Sequence, residues 1–287
     1  MKNISILGTG AMGSRLANKF IETGYNVTIF NRTKSKASAL IDSGAVFKST
    51  PVEAAENADI VISMLTDDDA ARKVWLDEKN GALSGLKADA IAIESSTLSI
   101  NCINEIAKNL KDKGNEFLDA PVVGSRPQAE AGALVFLLGG SSEAVEFVKP
   151  VLSNVSSSFF HLGEVGSATK MKLAVNAFFG VQVSAYSEIL GVMKKSGVNK
   201  TQVIELFNHL PVTSPVIQVI GKLINENNFE PLFPINLVEK DFRYILEMNG
   251  KGDSKLPIVD AAHNAYQQAI NNNLGELNIA GVSKLYV

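Results

Sequence analysis

The sequence predicts an α/β protein: a doubly wound, largely parallel sheet, followed by an all-α C-terminal domain and joined to it by one long interdomain helix. Three observations carry this. Short apolar runs alternate with amphipathic segments in the first half, a glycine-rich turn follows the first run, and beyond Gly163 only helical patterns remain. Strands alternating with helices of about 10–15 residues imply βαβ units and parallel strands covered on both faces.

The candidate strands are residues 4–7, 27–30, 60–64, 90–93, 116–119, 134–138 and 158–161. Ile60, Val61 and Ile62 are apolar without alternation, as double-sided burial requires. Helical patterns between the runs include residues 12–23, 51–57 and 100–111. From Gly166 to Lys195 there is no proline, and the internal glycines are Gly180 and Gly191. Apolar residues there, among them Met171, Leu173, Val175, Phe178, Phe179, Val183 and Ile189, fall all around the helical circumference. That pattern predicts a buried helix, about 28 residues and roughly 42 Å long. Further helices are expected at 201–208, 215–225, 236–248 and 257–272, with no strand after residue 163. The domains are therefore expected at 1–162 and 163–287.

The composition narrows the function classes. The 287 residues are 46% hydrophobic and 20% charged, enough for a substantial core, and 27 basic against 30 acidic side chains leave a net charge of −3. A nucleic-acid partner needs a clustered positive field, so none is expected. Cys102 is alone, and His161, His209 and His263 are far apart, so neither a disulfide within the chain nor a metal site is expected. Met1-Lys2-Asn3 runs straight into an apolar strand, too short for a signal peptide's apolar region. No uninterrupted apolar stretch approaches the roughly 20 residues of a membrane span. A cytoplasmic protein with no membrane partner is the expectation.

Gly8-Thr9-Gly10-Ala11-Met12-Gly13 is a G-x-G-x-x-G set between a strand and a helix. The first glycine permits the tight turn, the second lets backbone approach a pyrophosphate, and the third lets helix and strand pack closely. The helix N-terminus adds N–H groups and a positive dipole end. A second strand at the right distance completes a Rossmann-type dinucleotide site. That strand ends at Phe30, and Asn31-Arg32-Thr33-Lys34 stands where an NAD site offers an acid to the ribose. Arg32 can pair with a 2′-phosphate, and Asn31 and Thr33 can hydrogen-bond it, so NADP(H) is expected over NAD(H).

Lys172 and Asn176 lie four residues apart, on one face of the long helix. A lysine on an apolar helix needs a partner or a cleft, and partial burial makes its ammonium a usable proton donor near neutral pH. Periodicity leaves Lys170 as a competitor.

Four stretches together resemble the β-hydroxyacid dehydrogenase family, which includes 3-hydroxyisobutyrate dehydrogenases and glyoxylate/succinic semialdehyde reductases, and more distantly 6-phosphogluconate dehydrogenase. They are Gly8 to Gly13, Asp119-Ala120-Pro121-Val122-Val123-Gly124-Ser125, Gly163 to Lys172 continuing to Asn176, and Lys240-Asp241. The resemblance spans nearly the whole chain in order. It implies that Lys172, followed four residues later by Asn176, is the general acid/base for a hydride transfer, with Asn176 holding substrate and lysine. It further implies that Met64, Leu65, Thr97 and Lys240 line the cofactor site, that Thr97 also meets substrate, that Asp241 supports the lysine, and that Phe233 closes the pocket. The family's acid before Ser-Thr is retained in kind as Glu94.

One position departs from the family pattern. Val123 stands where the family has the serine that binds the substrate carboxylate. Backbone N–H groups of Gly124 and Ser125 remain for that task, with Arg126 beside them. The leading reading is reduction of a short aldehyde or keto acid to its hydroxy acid. Two alternatives are an imine reductase, which the retained lysine disfavours and Val123 favours, and a non-catalytic dinucleotide-binding protein. The apolar helical domain and the resemblance together imply a homodimer or homotetramer.

Overall fold

The computed structural model describes residues 2–250 and 255–287. The chain forms two compact units that divide between Lys172 and Leu173.

In the first unit the apolar runs become strands because both faces of each are covered. β1 (Asn3–Leu7) leads through α1 (Gly13–Glu22) to β2 (Asn26–Phe30), and α2 (Ser38–Asp42) leads to β3 (Val46–Lys48). The chain then returns through α3 (Pro51–Ala55) to β4 (Ile60–Ser63), α4 (Asp68–Leu76), α5 (Ala82–Gly85), β5 (Ile91–Glu94), α6 (Ile100–Lys113) and β6 (Glu116–Asp119). These six strands pair in the order β3-β2-β1-β4-β5-β6, parallel throughout. The order reverses at β1 and β4, so the crevice beyond their carboxyl ends is where an open sheet of this kind receives a ligand. Ile60 and Ile62 enter one core with Ile4, Ile6 and Phe20, and Val61 enters the other with Leu7, Trp75 and Ile103. That is the two-residue alternation of a strand expressed as two separate cores.

The apolar runs at 134–138 and near 158–161 do not extend this sheet. β7 (Val122–Val123), α7 (Arg126–Glu130), β8 (Leu134–Leu138), α8 (Ser142–Leu152) and β9 (Ser156–His161) follow in sequence. β7 pairs antiparallel and β9 parallel with β8 in a separate three-stranded sheet. β3 and β7, with three and two residues, have no counterpart among the sequence-based expectations.

The second unit is helical: the continuation of α9 (Ser167–Lys195), then α10 (Lys200–Asn208), α11 (Pro215–Asn225), α12 (Ile235–Asn249), α13 (Pro257–Asn271) and a short 3-10 turn at Ile279–Leu285. Among its described residues there is no strand, only an isolated bridge between Pro234 and Asn278. α9 corrects one expectation. It has 29 residues, but it is not buried all round: Met171, Phe178, Ile189 and Val192 are exposed, Phe178 at 69%. Its other side packs Ala177, Val183, Tyr186 and Leu190 into a core with Phe242 and Tyr266. By length and composition α9 could cross a membrane, yet half of its apolar window is buried inside the chain, and Asn176, Gln182 and Glu188 interrupt it.

Candidate active site

The glycine turn takes the form its spacing predicts. Gly8 has φ +99°, and its N–H donates to the Phe30 carbonyl at 2.8 Å. A Cβ at Gly8 would lie 2.5 Å from the Met64 carbonyl oxygen, and one at Gly13 would lie 2.0 Å from that of Gly8. Either addition would break the packing of β1 against α1 or β4. Gly10 differs: a Cβ there would meet open space. Gly10 and Ala11 are exposed, and no side chain caps α1 at Met12. A bare, exposed backbone turn at a helix start fits the diphosphate of a dinucleotide.

Asn31 is committed to the chain. Its Oδ1 accepts the Thr9 N–H at 3.2 Å and its Nδ2 donates to the Thr33 carbonyl at 2.8 Å. Asn31 thereby helps fix the glycine turn, and its amide keeps a second Nδ2 hydrogen beside Arg32 and Thr33. Arg32 and Thr33 are exposed, and Arg32 forms no salt bridge among the described residues.

Beside this turn, Met64 and Leu65 are half-buried at the end of β4, with the Met64 carbonyl and Leu65 side chain against Gly8. The Leu65 N–H donates to Ser96 Oγ at 2.7 Å. Next to Ser96 lies Glu94, whose partners the sequence did not reveal. Glu94 has no exposed surface, and it accepts from Ser63 Oγ (2.6 Å), Trp75 Nε1 (2.9 Å) and the Ser96 N–H (2.8 Å). Burial pushes its carboxyl above the ordinary glutamate value, against the pull of those donors. Thr97, the residue after Ser96, is half-buried.

Asp119 ends β6 and is fully buried. Its Oδ1 accepts the Gly166 N–H at 2.8 Å, and its Oδ2 accepts the Thr169 N–H at 2.7 Å and Thr169 Oγ1 at 2.8 Å. Burial raises its carboxyl value too, and these bonds oppose the rise. Past it, Val123 pairs with Val135 and is half-buried, and Gly124 follows with φ +127°. The Ser125 N–H, expected to stay open to substrate, donates to Gln128 Oε1 at 2.9 Å in a capping box that starts α7. Arg126 carries a buried Nε with no hydrogen-bond partner.

On α9 the two lysines differ: Lys170 is exposed and Lys172 half-buried. In the second unit Asn176 is buried, and its Nδ2 donates to Asp241 Oδ2 at 2.6 Å. Asp241 Oδ1 lies 3.2 Å from the ammonium of Lys240, itself buried and 5.1 Å from the centroid of the Tyr244 ring. Asp241 thus holds Asn176 and its own neighbour. Phe233 stacks on Phe179 with centroids 6.4 Å apart.

Within the first unit the structure brings together Gly8, Gly13, Asn31, Met64 and Leu65, and within the second Asn176, Lys240 and Asp241. Arg32 and Thr33 stand on the exposed turn after β2. Ser63, Trp75, Ser96 and Thr169 were missed. A carboxylate closing an apolar strand, at Glu94 and at Asp119, was the available signal, because such a group needs donors.

The profile of the NAD binding domain of 6-phosphogluconate dehydrogenase matches residues 3–163, and that of the NAD-binding of NADP-dependent 3-hydroxyisobutyrate dehydrogenase matches residues 166–286. The chain is 33% identical over 280 residues to glyoxylate/succinic semialdehyde reductase 2, chloroplastic, of Arabidopsis thaliana, covering 98% of this chain and 78% of the relative. It is 35% identical over 283 residues to an uncharacterized oxidoreductase of Bacillus subtilis (strain 168), covering 98% of each. Its fold superposes on that of a 3-hydroxyisobutyrate dehydrogenase from Salmonella typhimurium with a TM-score of 0.90 at 22% identity, over the whole of both chains. Profile matches along both halves, and relatives aligned over 98% of this chain, place it in the β-hydroxyacid dehydrogenase family of NAD(P)-dependent oxidoreductases.

Proposed function

We propose that this enzyme reduces a short aldehyde or keto acid to its hydroxy acid with NADPH, and runs the reverse reaction with NADP+. The observation that carries this reading is the half-buried Lys172, one helical turn before an Asn176 whose amide is fixed by Asp241. Lysine and asparagine four residues apart share one helix face, which supports a general acid/base reading.

The bare turn at Gly8, Gly10, Ala11, Met12 and Gly13 would hold the diphosphate. Met64, Leu65, Thr97 and Lys240 would line the rest of the cofactor site. Arg32 would pair with a 2′-phosphate, with Thr33 beside it. When bound, the nicotinamide supplies or accepts the hydride. Lys172 donates a proton to the carbonyl oxygen as the C=O π bond opens, and in oxidation its neutral amine takes the hydroxyl proton. Asn176 orients the substrate oxygen, Asp241 holds Asn176, and Phe233 covers the site.

The carboxylate end of the substrate would meet Gly124, Ser125 and Arg126. Val123 has no hydroxyl to offer, and the Ser125 N–H is engaged by Gln128. The guanidinium of Arg126, with its unpartnered Nε, becomes the principal donor. Val123 also favours a second reading, in which an uncharged cyclic imine is the substrate. The exposed apolar residues of the helical unit support assembly of two or four copies.

The test is to titrate the protein with NADPH and NADH, then supply glyoxylate, succinic and methylmalonic semialdehydes, plain aldehydes and a cyclic imine. Tighter NADPH binding, turnover of an acid-bearing carbonyl, and loss of about 99% or more of turnover in Lys172→Ala with NADPH binding retained are expected. Full activity of Lys172→Ala, or turnover of the imine alone, overturns the reading.

A further inference from the structure

The long helix does not start freely. Its first residues follow two left-handed glycines, Gly163 (φ +105°) and Gly166 (φ +88°), which turn the chain sharply out of the small sheet. Such a turn leaves the helix direction undetermined by the backbone alone. Backbone bonds from Gly140 to Gly163 and from Ser167 to Glu164 hold the turn itself, and one side chain, the carboxylate of Asp119 at the end of β6, restrains the helix that leaves it. It takes two buried N–H groups at the helix start, from Gly166 and Thr169, and the Thr169 hydroxyl as well. Asp119 is itself clamped, since its N–H and C=O exchange hydrogen bonds with Gly139. The lack of a side chain at Gly139 makes room for the carboxylate, because a Cβ there would lie 2.3 Å from Asp119 Oδ1.

The face that is gripped decides the consequence. At ~3.6 residues per turn, Thr169, Lys172 and Asn176 fall within about 60° of one another around the helix axis. Asp119 therefore holds the same stripe that carries the proposed acid/base pair, one turn ahead of Lys172. Asp241 holds that stripe at Asn176.

We infer that Asp119 is a positioning residue for the reaction, fixing the azimuth and rise of the first turns of α9 and thereby the path of the Lys172 ammonium. This rests on the assignment of Lys172 as the acid/base. Asparagine at 119 keeps the shape but turns an NH2 toward donors, so the grip loosens while packing is kept.

The experiment compares Asp119→Asn, Lys172→Ala and the double variant, reading single-turnover rate with NADPH and glyoxylate, NADPH affinity by fluorescence, and melting temperature. Asp119→Asn is expected to slow the chemical step by about a hundredfold, as misplacement of a reacting group does, with NADPH affinity within about twofold. In the Lys172→Ala background it should add no further loss, since a residue acting through the lysine has nothing left to act on. Should Asp119→Asn not fold, Thr169→Val removes one of the three donors and is expected to slow the step several-fold, with Thr169→Ser restoring it. An unimpaired rate in a folded Asp119→Asn, or in Thr169→Val where that variant replaces it, overturns the inference, as does an additive loss in the double variant. An active Lys172→Ala overturns the functional reading itself, and the two failures are thus told apart.

Discussion

Glu94 joins four parts of the first unit through one side chain, and its burial has a measurable sign. In an unfolded chain a glutamate titrates near about 4.3, and in the folded protein burial holds it higher. A carboxyl raised in the folded state contributes stability that is present in full below the unfolded value and is lost as pH rises through the folded value. Glu94→Gln cannot ionise and lacks that slope. Urea unfolding at intervals from about pH 4.5 to 8 should show wild type losing stability relative to Glu94→Gln as pH rises. A difference that stays constant with pH would mean that Glu94 does not titrate in this range. The glycines at 8, 10 and 13 were legible in the sequence because their spacing, between an apolar run and a helical pattern, is itself the signal. The partners of Glu94 were not, because they come from β4, from α4 and from the loop after β5. Likewise the sequence could nominate Asn31 for a phosphate, but only the fold reveals that Thr9 and Thr33 already engage it.

At the scale of the element, α9 depends on Gly180 as much as on its apolar residues. A Cβ there would lie 2.4 Å from Cε2 of Phe242, a ring that is itself buried and stacked on Tyr266 with centroids 5.4 Å apart. That ring has no room to retreat, so Gly180→Val should destabilise the helical unit by roughly 1–3 kcal/mol, read as a lower urea midpoint. An unchanged midpoint would mean that α12 yields more easily than its packing implies. The existence and length of this helix were legible in the sequence, from a long stretch without proline. Its exposed side was not, because composition does not distinguish residues covered by their own chain from those left outside. β3 and β7 are too short to carry a pattern, and an apolar run does not encode its partner strand, which is why β8 and β9 were expected in the main sheet.

The whole molecule leaves a concentration of apolar surface on its helical unit. Phe178 and Val212 are 69% and 79% exposed, and Ser214 ties their neighbourhoods together by donating to Gln182. Such surface is normally covered by another protein surface, and a second copy of this chain fits the proposed assembly. Light scattering during gel filtration should give a mass of at least two chains for wild type and one chain for Phe178→Glu/Val212→Glu. A wild type already at one chain's mass sinks the assembly. The broad plan of sheet first and helices second was readable because periodicity changes once, near Gly163, and short connections then leave few topologies. The continuity of α9 also bears on how such proteins can be recombined. An insertion or deletion between Lys172 and Asn176 turns the asparagine away from the lysine by about 100° per residue around the helix axis. A splice in the five residues between β9 and α9 leaves that spacing whole. It asks that one parent's aspartate accept the other parent's amide and threonine. Exchange of helical domains among relatives has a tolerant seam there, and Asp119 is the compatibility test a hybrid must pass.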